Sequence, residues 1–378
     1  MLLYRAKSSS ICYDYIRTGI IITKTKNAVR EMRIEKKVIA KLEKCYSVAP
    51  LYYQGREHFL VAAEKKDRCI LFDMDGNPEE TVWEGPGGVM TMVQIPGSDG
   101  QFLAIHQFFS PNEAKEAKLV AAEPSADGKW NVKTIARLPF VHRFDIVTRN
   151  HVNYLIACTL KSGHEYEEDW RSPGRVYAAR LPETLDGISE ENPLGLRVIC
   201  DSLNKNHGYC HMTEHGVMCS LIASEDGVFR FTPPENADGE WQIEMLFDLP
   251  ASDAVLTDFD GDGEKELALI HPFHGDEIRI YKNTDGTYQE VYRKSAEFAH
   301  AIFGGIFCGR PSLVIGSRGG KRELFCVSWN QERNSYETSV IDEGCGAANI
   351  YHFVKDGKDI LIAANREINE VAMYTISG

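Results

Sequence analysis

Seven short apolar runs punctuate this chain at near-even intervals, and that rhythm constrains its fold more than any other feature. They read FLVAA (59–63), FLAIH (102–106), YLIAC (154–158), CSLIA (219–223), ELALI (266–270), SLVIG (312–316) and ILIAA (360–364). A run this short, rich in β-branched residues and bounded by turn formers, fits a strand covered on both faces. Each is preceded by a polar turn and an earlier apolar strand, such as VMTMVQI (89–95) or DAVLTDF (253–259). A third strand follows, as in RCILF (68–72), EIRIY (277–281) and EVAMY (370–374). Most units then add a more polar fourth, as in NVKTIARL (131–138) and QIEMLFDL (242–249). Four strands recurring about every 40 to 50 residues is the pattern of β-propeller blades. The expected fold is all-β: a seven-bladed β-propeller with four antiparallel strands per blade. Even spacing favours it over a pair of β-sandwiches.

The seventh unit stops after its third strand, at Gly378. RIEKKVIAKL (33–42) lies ahead of the first unit without a partner of its own. Pairing the two closes the ring and removes two exposed sheet edges, which are aggregation hazards. Residues 32–378 are therefore read as the propeller. Residues 1–31 match no unit and are read as an N-terminal extension, or as translation from a start upstream of Met32. PNEAKEAKL (111–119) has some helical character but is too polar for the core, and is expected to decorate a loop.

Charge narrows the partners. A net charge of −13 argues against nucleic acid, whose binding needs clustered Lys and Arg, and against anionic membrane surfaces. No apolar run approaches the roughly 18 to 20 residues that span a bilayer. GIIIT (19–23) is too short for a secretory signal and is followed by Lys24 and Lys26. The ten cysteines include no CxxC and mostly sit in strand-like runs, as Cys158 and Cys219 do, which points to reduced thiols and a cytoplasmic location. A small-molecule carbohydrate is the partner expected below.

DFDGDGEKE (258–266) has the composition of a hard-cation loop. Asp258, Asp260 and Asp262 fall on alternate residues, Gly261 and Gly263 permit the tight backbone, the Glu264 carbonyl adds an oxygen, and Glu266 closes at the ninth place. Ca²⁺ or Mg²⁺ is the expected occupant, because such ions take oxygen ligands from alternate loop positions. The other units keep the turn without the ligands, as in YQGREH, PGSDGQ and KDGKD, so the expected role is structural. A solvated acidic hairpin is the plainer reading, since Asp-Gly pairs also form ordinary turns.

Twelve histidines sort unevenly between the faces of such a ring. Loops leading into first strands and loops joining second to third strands open on one face. His142, His207, His211 and His300 fall at the first kind; His106, His164, His271 and His274 fall at the second. His58, His151 and His215 fall on the opposite face, and His352 within a strand. Arg143, Asp145, Arg175, Arg318, Asn349, Arg366 and Glu367 join the crowded face. Converging imidazoles and guanidiniums describe a site for an oxygen-rich ligand or a transition metal. His207 and His211 would be about 13 Å apart on an extended strand and could not share one ion. His207, His274 and His300 come from consecutive blades and could. The insertion TLKSGHEYEEDWRSPGR (159–175) carries Tyr166 and Trp170 and reads either as a rim over the site or as a solvated acidic loop. No GxSxG elbow supports an acyl-transfer hydrolase.

Two resemblances extend this reading. DFDGDGEKELALI is similar to the FG-GAP or VCBS repeat, whose aspartate-rich loop joins the first two strands of a propeller blade. NHGYCH (206–211), the segment 253–282, HAIFGG (300–305), GAANIY (346–351) and AANRE (363–367) together resemble the propeller domain of aldos-2-ulose dehydratases. Those enzymes remove water from keto-sugars such as 1,5-anhydrofructose and depend on bound metal. The likeness covers residues 206–370 and none of the fungal enzyme's cupin or lectin-like domains, so it implies a dehydration step and not an isomerase step. It implies Zn or Mn on His207, His274 and His300, with His142 as base or acid. Arg318 and Arg366 would hold sugar oxygens, and His211, Asn349 and Glu367 would complete the catalytic set. The competing expectation is a non-catalytic propeller that binds a sugar or a protein and holds a structural calcium ion.

Overall fold

A computed structural model describes residues 20–22, 32–237 and 239–377. Seven antiparallel sheets follow one another along the chain, each built in simple up-and-down order. Blade 1 comprises Cys45–Tyr53, Arg56–Ala63, Cys69–Asp73 and Pro78–Trp83. Blades 2 to 6 repeat the plan, with first strands Met92–Gln94, Val141–Arg149, Gly208–Glu214, Asp253–Thr257 and Ala299–Phe307. Blade 7 takes Ala347–Lys355, Lys358–Asn365 and Glu370–Ser377 from the C-terminus and Arg33–Lys41 from the N-terminus. First strands of neighbouring blades touch all the way round, which defines a closed ring about a central channel.

Burial follows the expected logic. The apolar runs are the second strands, and Phe59–Ala63, Phe102–Ile105 and Leu361–Ala364 are buried on both faces. Fourth strands form the outer wall, and in Gln242–Phe247 only Phe247 is buried. Cores lie between blades, as where Phe59 stacks on Phe72 at 5.1 Å beside Ile362 and Val371 of blade 7. Residues 111–117 form turns and a Ser110–Glu113 bridge, strand Lys118–Pro124 follows, and the single helical turn among the described residues is Arg366–Ile368. No described helix is long and apolar enough to cross a membrane. The nine described cysteines are unpaired thiols.

Closure is made by hydrogen bonds and by charge. Arg33–Lys41 runs antiparallel to Glu370–Ser377, and Ile34 is buried among Tyr374, Ile376 and Phe307. The Lys36 ammonium lies 2.9 Å from Asp342 of blade 6 and 2.8 Å from Glu370 of blade 7. Tyr374 donates to the same Asp342 oxygen at 2.7 Å, and Asn365 donates to the Tyr374 hydroxyl at 3.1 Å. Ile20–Ile22 pairs with Arg33–Glu35 as a fifth strand on this blade, so part of the expected extension is attached to it. The rest of residues 1–31 lies outside the described residues.

Lys36→Ala should lower stability by about 2 kcal/mol, since it leaves mostly buried Asp342 with the Tyr374 hydroxyl and no cation, and Glu370 with only the exposed Lys41. Lys37, whose ammonium reaches only the Asp75 carbonyl at an exposed site, serves as control. Its alanine variant should shift stability by less than about 0.5 kcal/mol. Equal urea midpoints for the two variants would refute the clasp.

Candidate functional site

The site is made by one structural position repeated around the ring. In four blades the first strand opens with a β-bulge, at Tyr46, His142, His300 and Ala348. A bulge breaks the regular alternation and re-aims its side chain. His207 holds the corresponding place in blade 4, with its N–H donating to the Ala223 carbonyl at 3.1 Å. Ser252 holds it in blade 5, donating to the Ile270 carbonyl at 2.8 Å. The next residues inward (Ser47, Thr91, Arg143, Asp253 and Asn349) line a central cavity of about 180 Å³ together with His300. Side chains lace this tier to neighbouring blades: Thr91 donates to the His142 carbonyl at 3.2 Å, and Arg143 to the Met90 carbonyl at 3.0 Å.

Four imidazoles meet at the mouth of this channel. Ring centroids of His142 and His207 are 4.4 Å apart, those of His207 and His274 5.0 Å, and those of His207 and His300 5.3 Å. His207 Nδ1 lies 2.9 Å from the Ser252 carbonyl and His300 Nδ1 2.8 Å from the Ala348 carbonyl. Carbonyls only accept, so both Nδ1 atoms carry the proton and both Nε2 atoms present a lone pair. His207 Nε2 is buried and has no hydrogen-bond partner, as has His142 Nδ1. His300 Nε2 accepts from the Tyr46 hydroxyl at 3.1 Å. His274 joins from the loop after the second strand of blade 5, at a left-handed φ of 50°, with its N–H on the Ser252 hydroxyl at 3.1 Å. Phe273 stacks on His274 at 4.0 Å and Phe298 packs at 4.8 Å.

Burial, reinforced by nearby positive groups, keeps these rings neutral. It pushes His142, His207 and His300 well below the ordinary imidazole range. His274 is pushed down to about 3, by burial first and then by Arg318, Lys205 and Arg143. Neutral imidazole is the form that ligates metal. Ligand atoms of His207, His274 and His300 all lie within 4.8 Å of one another. An orphaned buried nitrogen, two tautomers fixed by carbonyls and three nitrogen donors fit a zinc-type ion with an open position, with the Tyr46 hydroxyl giving up His300 Nε2 to it.

Other expected residues are placed differently. His211 stands apart from the triad: its Nδ1 lies 2.7 Å from Asp145, which also accepts from Tyr209 at 2.9 Å. The Asp145 hydrogen bond raises the His211 pKa. Arg318 and Arg366 both pair with Glu367, at 2.9 Å and 2.8 Å, and Arg366 also pairs with Glu64 of blade 1. Burial works to raise Glu367, but the two guanidiniums outweigh it and hold it below the usual carboxylate range. These groups clasp blades 6, 7 and 1, so their charges are already matched before any sugar arrives. Arg175 pairs with Asp201 at 2.9 Å on the rim. His106 packs on Trp83, and His271 bonds the Pro250 carbonyl at 2.6 Å, away from the triad. Asn349 does line the cavity, with a buried Nδ2 that lacks a partner.

Sequence reasoning missed Tyr46, Phe273 and Asp253. Asp253 faces the cavity, and burial pushes its carboxyl up to about 7. Reading the residue at the start of each first strand in register would have given Tyr46 the position that His142 and His300 hold in their blades. The 159–175 insertion folds inward: Trp170 sits edge-on to Phe273 at 5.3 Å. Fully buried Lys161 steadies it, 4.4 Å over the Trp170 ring and 3.0 Å from Asn112.

The aspartate loop also converges, with oxygens of Asp258, Asp260 and Asp262 within 4.8 Å of one another. Asp258 accepts from the Gly261 and Gly263 amides at 2.7 and 3.0 Å, whereas Glu264 keeps an exposed side chain. Among the carboxylates stands a cation from the same protein. Lys282 pairs with Asp260, with Asp262 at 2.6 Å and with Glu266 at 3.3 Å.

These features define a seven-bladed β-propeller whose histidine-lined channel mouth is its candidate site. Among solved structures the chain is similar to a streptogramin B lyase, at 14% identity and TM-score 0.53, covering 92% of this chain and 98% of that one. It is also similar to the Dos1 propeller, at 8% identity and TM-score 0.53, covering 88% and 77%. The Cps50 (Swd1) β-propeller domain of Myceliophteria thermophila matches at 11% identity and TM-score 0.56, covering 90% and 100%. At these identities the likeness shows the fold alone. No family model and no curated protein matches the chain.

Unfolded histidine titrates near 6.5 and folded His274 at about 3, so between these values the unfolded chain binds more protons. The contribution of neutral His274 is therefore intact above about pH 6.5 and lost as pH falls, by up to about 1.4 kcal/mol per pH unit. In chelator, His274→Asn should lose stability less steeply than wild type between pH 6.5 and 4. Parallel stability curves would contradict the buried neutral assignment.

Proposed function

We propose that this propeller is a metal-dependent carbon–oxygen lyase that eliminates water from a keto-sugar, such as 1,5-anhydrofructose or a related aldosulose. The observation that carries this reading is the meeting of His207, His274 and His300 above a polar cavity of about 180 Å³. Zinc or manganese held by the three imidazoles would supply Lewis acidity to a substrate carbonyl. The chain's own groups account for the remainder. Neutral His142, with Nδ1 unpartnered beside His207, is placed to take the proton from the carbon next to the carbonyl. The electron pair of that C–H bond forms the C=C bond as the neighbouring C–O bond breaks. The departing hydroxide takes a proton and leaves as water. The Tyr46 hydroxyl now donates to His300 Nε2, and it would be freed when that nitrogen ligates the metal, to serve as a proton donor at the same spot.

Substrate binding is better assigned to the cavity tier than to the paired Arg318 and Arg366. Arg143 and Asn349 offer donors and Asp253 an acceptor, which together suit vicinal hydroxyls. Phe273, Phe298 and Trp170 shield the mouth, and water exclusion strengthens every polar contact inside. The similarity to a lyase structure is compatible with this reading and adds only the fold.

Purified protein incubated with a panel of keto-sugars should generate enone absorbance that chelator abolishes. His274→Ala and His300→Ala should each lower transition-metal content and turnover by at least about 100-fold with the melting curve of the ring retained. Tyr46→Phe should keep the metal and lose about 10-fold or more in kcat. Tight sugar binding without absorbance change or transition metal would instead establish a non-catalytic binding propeller.

A further inference from the structure

The aspartate loop raises a question that the channel does not answer: which cation neutralises it. Its sequence asks for calcium, yet the third strand of the same blade, Glu277–Thr284, delivers Lys282 into the cluster. The lysine stem is mostly covered, with 24% of the side chain exposed, and its ammonium is shared by Asp260, Asp262 and Glu266. Glu266 is fully buried, and its Oε1 has no hydrogen-bond partner. Its other oxygen accepts from the Phe259 amide at 2.7 Å. Lys282 is thus the only positive group paired with Glu266 among the described residues, and a buried carboxylate needs one. Asp258 accepts one glycine amide on each oxygen, which fixes the loop and leaves each oxygen a second lone pair. The Lys282 ammonium thus stands among the oxygens that a six- to eight-coordinate ion would need.

We propose that Lys282 is the resident cation of this loop and that a divalent ion can enter only by displacing it. The argument is electrostatic and entropic. A tethered ammonium competes at an effective concentration of roughly millimolar or above, without a loss of translational freedom. Four carboxylates (Asp258, Asp260, Asp262 and Glu266) still exceed one ammonium in charge, so the loop without Lys282 becomes a strong calcium site. The proposal is independent of the channel reading, since Lys282 touches none of the triad.

Tyr336 supplies an optical probe. Burial pushes its phenol up, and the charges of Glu266, Asp260, Asp258 and Asp262 add to the shift, so the ring lies within their field. Terbium bound in the loop should emit when tyrosine is excited, and calcium should quench that emission by competition. Wild-type protein purified without chelator should carry less than about 0.1 calcium per chain by elemental analysis. Lys282→Met should bind calcium at least about 10-fold more tightly than wild type, and Lys282→Arg, which keeps the charge, should not. Near-stoichiometric calcium in wild type, or equal affinity in wild type and Lys282→Met, overturns the proposal. Circular dichroism monitors the fold of both variants. Should the methionine variant unfold, the calcium content of wild type decides alone.

Discussion

Everything at the channel mouth depends on the seventh blade being completed from the opposite end of the chain. Side chains on the start of a first strand point into the channel only when neighbouring first strands press on both sides. That condition holds for blades 1, 6 and 7 because Arg33–Lys41 is paired with Glu370–Ser377. The same junction carries the buried clasp of Lys36, Asp342 and Glu370 and, on the site face, the ion pairs of Glu64, Arg366, Glu367 and Arg318. Blades 6 and 7 supply His300 and the Ala348 carbonyl that orients it, and blade 1 supplies Tyr46. A ring open at this point would lose three of the elements that define the site.

Charge in this molecule is mostly committed internally. Arg175, Arg318 and Arg366, expected to face a ligand, are matched by carboxylates, and an acidic loop built like a cation site receives a lysine. At the channel, buried nitrogen atoms of His207, His142 and Asn349 stay without a hydrogen-bond partner. Unsatisfied buried polar atoms are costly and uncommon, and where they cluster they mark a place built for something else to complete. Mutual contact at the cavity mouth separates these imidazoles from His106 and His164, whose unpartnered ring nitrogens pack singly against Trp83 and Phe140, and from His58 and His352. His58 is buried and His352 half-buried, and each is satisfied by a carboxylate of its own blade, Glu79 or Asp359.

The legible part of the site and the illegible part differ for a physical reason. His207, His274 and His300 were readable as a group because loop order around a ring follows from strand count. Tyr46 was not, because nothing near residue 46 signals that its hydroxyl meets a histidine 254 positions later. Arg318 and Arg366 were assigned to the right face and given the wrong company in expectation, since a charge pattern does not reveal its nearest counter-charge. Lys282 was overlooked for the same cause: it is a strand residue whose partners lie in the loop on the far side of the neighbouring strand.

Periodicity alone determined the architecture. Short apolar runs with polar turns can bury both faces only by stacking sheet on sheet, and an unpaired strand at each terminus demands closure. Distances among side chains from different blades were decided by tertiary structure alone. They depend on where each first strand bulges and how adjacent sheets twist against one another, and neither is written in the order of the residues. Which imidazole carries its proton, which guanidinium is already matched and which cation fills the acidic loop all follow from that packing.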